Sequence, residues 1–493
     1  MNIPRTPRSR RAATTAVATT LLTALASAGA VAAPDASLTE STENFRQKVS
    51  VDKIERHLQA FQAIADEHGD RAAGTPGYEA SARYVEQVLQ DAGYETIRQQ
   101  FPFLYFELLQ PEVLSVAGQA VENHVMSNSP STGEGGVTAP MVQPATATGC
   151  DDAAWSGVDA TGQIALVSRG ACTFLAKSQA AGRAGAEAVI IYNNRPGALN
   201  GTLGDDPAGA IPSTGITQEE GERLAALPAG TEATLELVTM LEERETFNVL
   251  TETEGGSDEN VVMVGGHLDG VHGGPGLNDN GSGVATMLTV AEELAKLDKP
   301  GPGDGNKHGL ANTVRFAFWG AEESGLVGST HYVEDLVEND PAALDRIATY
   351  LNFDMIGSPN YIVAVYDADE STYEADAPVP AGSIETEDVF TDYYDSIGQP
   401  WVDYAFSGRS DYQAFINNGV AAGGLSSGSD GLKTEEQAAM FGGVVGEQYD
   451  QNYHSPQDDI DNVNREVLDI HSDAMAHATL ALARDVSLVQ PGS

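Results

Sequence analysis

Residues 261–264, V-V-M-V, lead without a break into G-G-H-L-D-G-V-H-G-G-P-G-L-N-D-N-G-S-G at 265–283, and apolar side chains then recur at helical spacing as far as Leu297. A short apolar run, a glycine-rich turn and a 3.6-residue repeat read as strand, loop and helix start, the unit from which open α/β sheets are built. In such sheets, ligands and catalytic groups gather on loops at the carboxyl ends of strands. His267, Asp269 and Asp279 all fall on this loop. His267 and Asp279 could share a metal ion, because neutral imidazole and carboxylate both suit zinc. Alone the pair is a weak sign, since a loop histidine is commonly just solvated.

The alternation continues to Leu488. Residues 313–319 alternate Val314, Phe316 and Phe318 as a strand, residues 350–355 and 420–425 are further strands, and Val284, Met287, Leu288, Ala291 and Leu294 share one helix face. Upstream, Ile54, Leu58, Phe61 and Ile64 mark one amphipathic helix. Residues 78–92, closed by Gly93, mark a second, and residues 96–103 a strand. The fold class is therefore α/β, a doubly wound mixed sheet flanked by helices, built from residues 49–108 and 241–488. Between these segments, residues 109–240 are richer in Gly, Ala and Thr, with short β-like runs at 163–167 and 188–192. They carry no cluster of histidines and carboxylates and read as a separate, catalytically silent insert. At 493 residues the chain has room for such a second domain.

A formal charge of −46 excludes nucleic acid and anionic membrane surfaces as partners, since both need clustered Lys and Arg. Asp and Glu also hold hard cations, so calcium is a candidate ligand. Arg5, Arg8, Arg10 and Arg11 precede an apolar run at 12–30 and a small-residue site, Ala30-Val31-Ala32. Residues 1–33 read as a secretory signal peptide, the run being too short for a membrane span. Residues 34–48 read as a leader or propeptide. In an oxidising exterior Cys150 and Cys172, the only cysteines, are expected to pair. Closing that loop would contribute roughly 3 kcal/mol in the chain-entropy model.

Three more clusters follow strands. Glu322 and Glu323 come in W-G-A-E-E-S-G, and adjacent carboxylates on an extended backbone point apart, so they can take different roles. Asp354 ends an apolar strand, where burial is unfavourable unless a cation compensates it. His454 lies in Y-H-S-P before the last helix. Each has an ordinary reading, as surface charge, cap or loop. With His267 and Asp279 they supply five ligands and one spare carboxylate, which is what a two-metal hydrolase requires. One carboxylate bridges, each ion takes two further ligands, and the spare carboxylate acts as general base.

His267, Asp279 within N-D-N-G-S-G, Glu322-Glu323 within F-W-G-A-E-E, Asp354 within L-N-F-D-M-I and His454 resemble the secreted double-zinc aminopeptidases of the streptomycete type. The resemblance implies two Zn2+, with Asp279 as the bridge, His267 and Asp354 on one ion, and Glu323 and His454 on the other. It implies Glu322 as base, Asp269 orienting His267, and Tyr453 stabilising the oxyanion. Arg409, in F-S-G-R-S-D, would contact substrate or product, and Met355 with residues 424–428 would line the side-chain pocket. Glu322 and Asp354 would face the free α-amine. The implied activity is release of N-terminal, apolar residues from peptides with a free N-terminus. A carboxypeptidase or dipeptidase on the same scaffold would need a basic pocket, and a non-catalytic peptide-binding protein would have lost its metals. His272 has no expected role with zinc. The insert, through G-Q-I-A-L-V-S-R-G-A-C-T-F at 162–174, Lys177 and residues 182–193, resembles the protease-associated domain, which implies a lid or access role. Two features depart from the family. Asn452 and Gln457 stand where a disulfide flanks the last His, and Lys48 stands where an Asp joins the matches of Asp469 and Asp473 in a calcium site.

Overall fold

Strand β1 (Thr96–Leu108) pairs with β2 (Thr239–Glu252) in unbroken antiparallel register, from Thr96 opposite Thr251 to Leu108 opposite Thr239. Phe101, Phe103 and Tyr105 alternate inward along it, the period of two that one covered face imposes. The ribbon closes where the Leu109 amide donates to the Val238 carbonyl. The computed structural model describes residues 36–204, 206–298, 309–375 and 377–490; the signal-peptide expectation for 1–33 and the first two residues of the leader lie outside them.

Strands β3 (Ser257–His267), β4 (Asn312–Trp319), β5 (Ile347–Phe353), β6 (Ala364–Tyr366), β7 (Val402–Tyr404) and β8 (Ala422–Ser426) complete the main sheet, in the order β1-β2-β4-β3-β5-β8-β6-β7. β4, β3, β5 and β8 run parallel, whereas β2 meets β4 and β6 meets β8 antiparallel. The flanking helices include α1 (Ala36–Arg46), α2 (Val51–His68), α3 (Pro76–Ala92), α4 (Gly283–Leu297), α5 (Val327–Asn339) and α6 (Arg465–Arg484). Both sheet faces are covered, so β5 is buried along its whole length and β3 from Val261 onward. That is why residues 261–264 read as a continuous apolar run rather than an alternating one. Val262 and Val264 join Leu58, Phe61, Val85 and Leu288 in one core, while Met263 points to Trp319, Tyr350 and Phe415 in the other.

His267 ends β3 opposite Trp319, the last residue of β4, and Asn352 of β5 lies opposite Gly265. The loops after all three strands therefore emerge at one edge, where open α/β sheets bind ligands.

Within the segment expected to be a leader or propeptide, α1 docks onto the domain. Phe45 and Thr42 are buried, and the Thr42 hydroxyl meets His477 Nδ1 at 2.8 Å. Arg46 Nη1 donates to Asp473 Oδ2 at 3.1 Å and to the Tyr393 hydroxyl at 3.0 Å. At the position expected to offer calcium ligands a guanidinium meets Asp473, and among the described residues neither Asp469 nor Asp473 belongs to a group of three acidic or imidazole side chains close enough to hold an ion.

The insert forms a second eight-stranded sheet. Val137–Val142, Ile164–Ser168, Ala188–Tyr192 and Ser213–Ile216 run parallel at its centre, with apolar clusters on both sides. Cys150 and Cys172 form the expected disulfide. Among the described residues no helix is long and apolar enough to cross a membrane.

Candidate metal centre

The loop after β3 is shaped by one buried cation. Arg71, fully buried in the segment between α2 and α3, donates from Nη1 to Leu268 O at 2.7 Å, from Nε to Pro275 O at 2.7 Å and from Nη2 to Gly276 O at 2.6 Å. Its guanidinium also lies 4.9 Å over the Phe61 ring. Burial lowers its pKa to about 10 against the raising effect of Asp458, Asp269, Asp279 and Glu323, so it stays charged at neutral pH. Removing it strands three carbonyls among buried carboxylates. Arg71→Ala is therefore expected to lower the unfolding free energy by roughly 3–5 kcal/mol, read as a fall in the urea midpoint. Arg71→Lys should recover only part, because an ammonium cannot reproduce the planar fork. A midpoint for Arg71→Ala equal to wild type would refute this role. Beside it, Asp70 accepts the Gly273 amide and pairs with His272 Nδ1 at 3.2 Å, so His272 braces the loop outside the cluster.

Gly276, at φ 61° and ψ 48°, turns the chain into an irregular segment at Leu277–Ser282. A Cβ there would stand 2.6 Å from the Asp279 carbonyl, so the turn requires glycine. Asp279 leaves this turn toward His267. Its Oδ1 lies 3.1 Å from His267 Nε2, and its Oδ2 lies 3.2 Å from His454 Nε2. Asp354 Oδ1 is 3.3 Å from His267 Nε2, and Glu323 Oε2 is 3.0 Å from His454 Nε2. Two triads share Asp279, His267–Asp279–Asp354 and Asp279–Glu323–His454, and a third, His267–Glu322–Glu323, does not; in each the ligand atoms lie within 4.8 Å of one another. Glu322, whose Oε2 is 4.0 Å from His267 Nε2, stands outside the two that share Asp279. All six residues singled out in the sequence are thus brought to one edge of the sheet.

Electrostatics and satisfaction show what the cluster lacks. Burial favours neutral imidazoles, yet Glu322, Asp354 and Asp279 raise His267 well above its ordinary pKa, and Glu323 and Asp279 do the same to His454. Burial, with Glu323, Asp354 and Asp411, pushes Glu322 well above the usual carboxylate range. Glu323 Oε1 is buried with no hydrogen-bond partner. Four carboxylates and two imidazoles around an orphaned oxygen fit divalent zinc, which takes N and O donors in this way.

The ring of His267 meets the main chain of Asp269. Its Nδ1 faces the main-chain carbonyl of Asp269 at 3.0 Å. A carbonyl only accepts, so Nδ1 carries the proton and Nε2 is the free donor toward a metal. The Asp269 carboxylate turns the other way and accepts the amides of Glu322 at 3.2 Å and Glu323 at 3.3 Å. Two residues beyond His267, its carbonyl reaches back to the ring while its side chain reaches the turn after β4. Burial, opposed first by His267 and then by these amides, lifts Asp269 to about 6.

Several supporting residues were not anticipated. Ser410 donates to Asp354 Oδ2 at 2.6 Å and accepts from Asn352 Nδ2. In place of a disulfide, the His454 loop is held by a buried amide–carboxylate network. Asp458 accepts the amides of Asn278 and Asp279 through separate oxygens. Asn462 Nδ2 donates to Asp450 and Asp458, Asn278 Nδ2 donates to Asp450, and Asn452 Nδ2 donates to Asn462. Carboxylates four residues either side of His454 were the available signal. Tyr453 stacks on the His454 ring at 3.8 Å, Arg409 Nη2 donates to its hydroxyl at 3.3 Å, and both line the pocket with Met355.

Residues 248–479 match the model of peptidase family M28, and residues 137–224 match that of the PA domain. Over 434 residues the chain is 41% identical to a probable leucine aminopeptidase 2 of Aspergillus fumigatus, across 87% of this chain and 82% of the relative. The chain belongs to peptidase family M28. This M28 chain is also 42% identical to an aminopeptidase of Pseudomonas aeruginosa, across 88% of itself and 81% of the relative. Among solved structures it is similar to an aminopeptidase from Aneurinibacillus sp. strain AM-1, with 27% identity, a TM-score of 0.69 and coverage of 89% and 95%. A zinc aminopeptidase from Bacillus subtilis matches at 28% identity and TM-score 0.62, over 86% of this chain and 94% of that one. The α/β fold with a protease-associated insert expected from the sequence is the fold of this M28 peptidase.

Proposed function

We propose that this M28 aminopeptidase is a secreted two-zinc exopeptidase that releases apolar N-terminal residues from peptides with a free N-terminus. The reading rests on Asp279, both of whose oxygens face an imidazole, with the buried Glu322 outside the two triads that Asp279 joins. His267 and Asp354 would hold one ion, Glu323 and His454 the other, and Asp279 both. Zinc held there would supply Lewis acidity toward a water and toward the first peptide carbonyl. Glu322 takes the proton of the attacking water and delivers it to the leaving amine. Tyr453 donates its hydroxyl proton to the oxygen on which charge develops. Glu322 and Asp354 present negative charge to the substrate's ammonium group. The apolar preference is supported by the leucine aminopeptidase relatives, and secretion by the basic-then-apolar start at residues 5–30 and the disulfide. A carboxypeptidase would need a free cation, and Arg409 in this pocket is already paired with Asp430 at 3.0 Å.

A peptide with a free N-terminus is expected to be cleaved on the order of 10³-fold faster, or more, than its N-acetylated copy, because a site built for an ammonium leaves its carboxylates unpaired when that group is lost. Comparable rates, measured as kcat/KM with and without chelator, would contradict the aminopeptidase reading.

A further inference from the structure

Asp430 lies on the loop after β8, just beyond the 424–428 segment, and it touches the residue that touches Tyr453. Arg409 Nη1 donates to Asp430 Oδ1 at 3.0 Å, and Arg409 Nη2 donates to the Tyr453 hydroxyl oxygen at 3.3 Å. Arginine has five N–H donors in one plane and no acceptor, so in this contact the phenol oxygen must accept. The Tyr453 proton is then directed away from Arg409. The ring plane is fixed by stacking on His454, at 3.8 Å and 23°, which leaves the hydroxyl proton few other directions. A phenol that already accepts from a cation is also a stronger donor, since charged partners polarise the bond.

Arg409 is a long side chain, 54% exposed, and Asp430 is 44% exposed. An exposed pair of this kind adds little to stability, typically under about 1 kcal/mol. Its consequence lies in geometry, because a fork held at one nitrogen has its second nitrogen fixed in place. We infer that Asp430 is a positioning residue for the reaction, holding Arg409 so that Tyr453 presents its proton to the developing oxyanion. This rests on the reading of Tyr453 given above.

The test is a double-mutant cycle on the zinc-loaded full chain, with kcat, KM, zinc content and melting temperature measured for each variant. Tyr453→Phe should lower kcat by roughly 10²–10³-fold, as loss of an oxyanion donor does. Asp430→Ala should lower kcat on the order of 10-fold with KM, zinc content and melting temperature unchanged, and Asp430→Glu should restore part of it. In the Tyr453→Phe background, Asp430→Ala should have no further effect on kcat. A full, additive loss in that background, or an effect on KM alone, would overturn the role of Asp430 while leaving the Tyr453 reading intact. Wild-type kcat for Tyr453→Phe would overturn both.

Discussion

Glu322→Ala is expected to keep its zinc content near wild type and to lose nearly all turnover, a fall in kcat of roughly 10²–10⁴-fold. The two triads that share Asp279 do not include Glu322, so its removal leaves both of them whole. The position of its backbone is set by other groups. The Glu322 amide donates to Asp269, and the turn continues through hydrogen bonds from Gly325 and Leu326 to the Glu322 carbonyl. The side chain can therefore be removed without moving Glu323, which follows it and faces His454. Glu322→Gln is the sharper variant, because it keeps the volume and removes only the ability to take a proton. Metal analysis alongside kcat decides the matter. Turnover retained in a metal-replete sample would end the general-base assignment, and zinc lost along with turnover would make Glu322 a ligand instead.

Asp279→Ala is expected to lose both ions. Each triad falls from three protein ligands to two when this one carboxylate goes, whereas Asp354→Ala or Glu323→Ala leaves the other triad whole. After dialysis against a weak chelator, zinc per chain should approach zero for Asp279→Ala and one for either of the others. Because ions that bind only the folded state stabilise it by mass action, the melting temperature of Asp279→Ala should match that of chelator-treated wild type. One zinc retained per chain in Asp279→Ala would exclude the bridging role.

The six cluster residues were legible as candidates because metal chemistry restricts residue type. Imidazoles and carboxylates at the ends of apolar strands have few inexpensive fates other than a cation. The central strands were legible for a related reason: residues 261–264 are apolar on both faces because helices cover both. Their ends were less so. β3 begins at Ser257 among Asp258 and Glu259, which are exposed and carry no pattern. The helix that ends at Leu297 begins only at Gly283, because Asp279 and Asn280 depart from helical backbone angles in order to aim the carboxylate.

By itself, then, the sequence determined the α/β class, the inserted module and which side chains could do chemistry, since apolar period and residue type are local properties. Tertiary structure alone decided which groups meet. That His454 shares Asp279 with His267 follows from sheet order and loop direction, which no local spacing encodes. The same holds for the division of Asp269 between a carbonyl for His267 and a carboxylate for the Glu322–Glu323 turn. It holds for Arg46 on Asp473, and for Asp430 behind Arg409. In each case the partner is chosen by where the fold leaves a buried or half-buried charge in need of one.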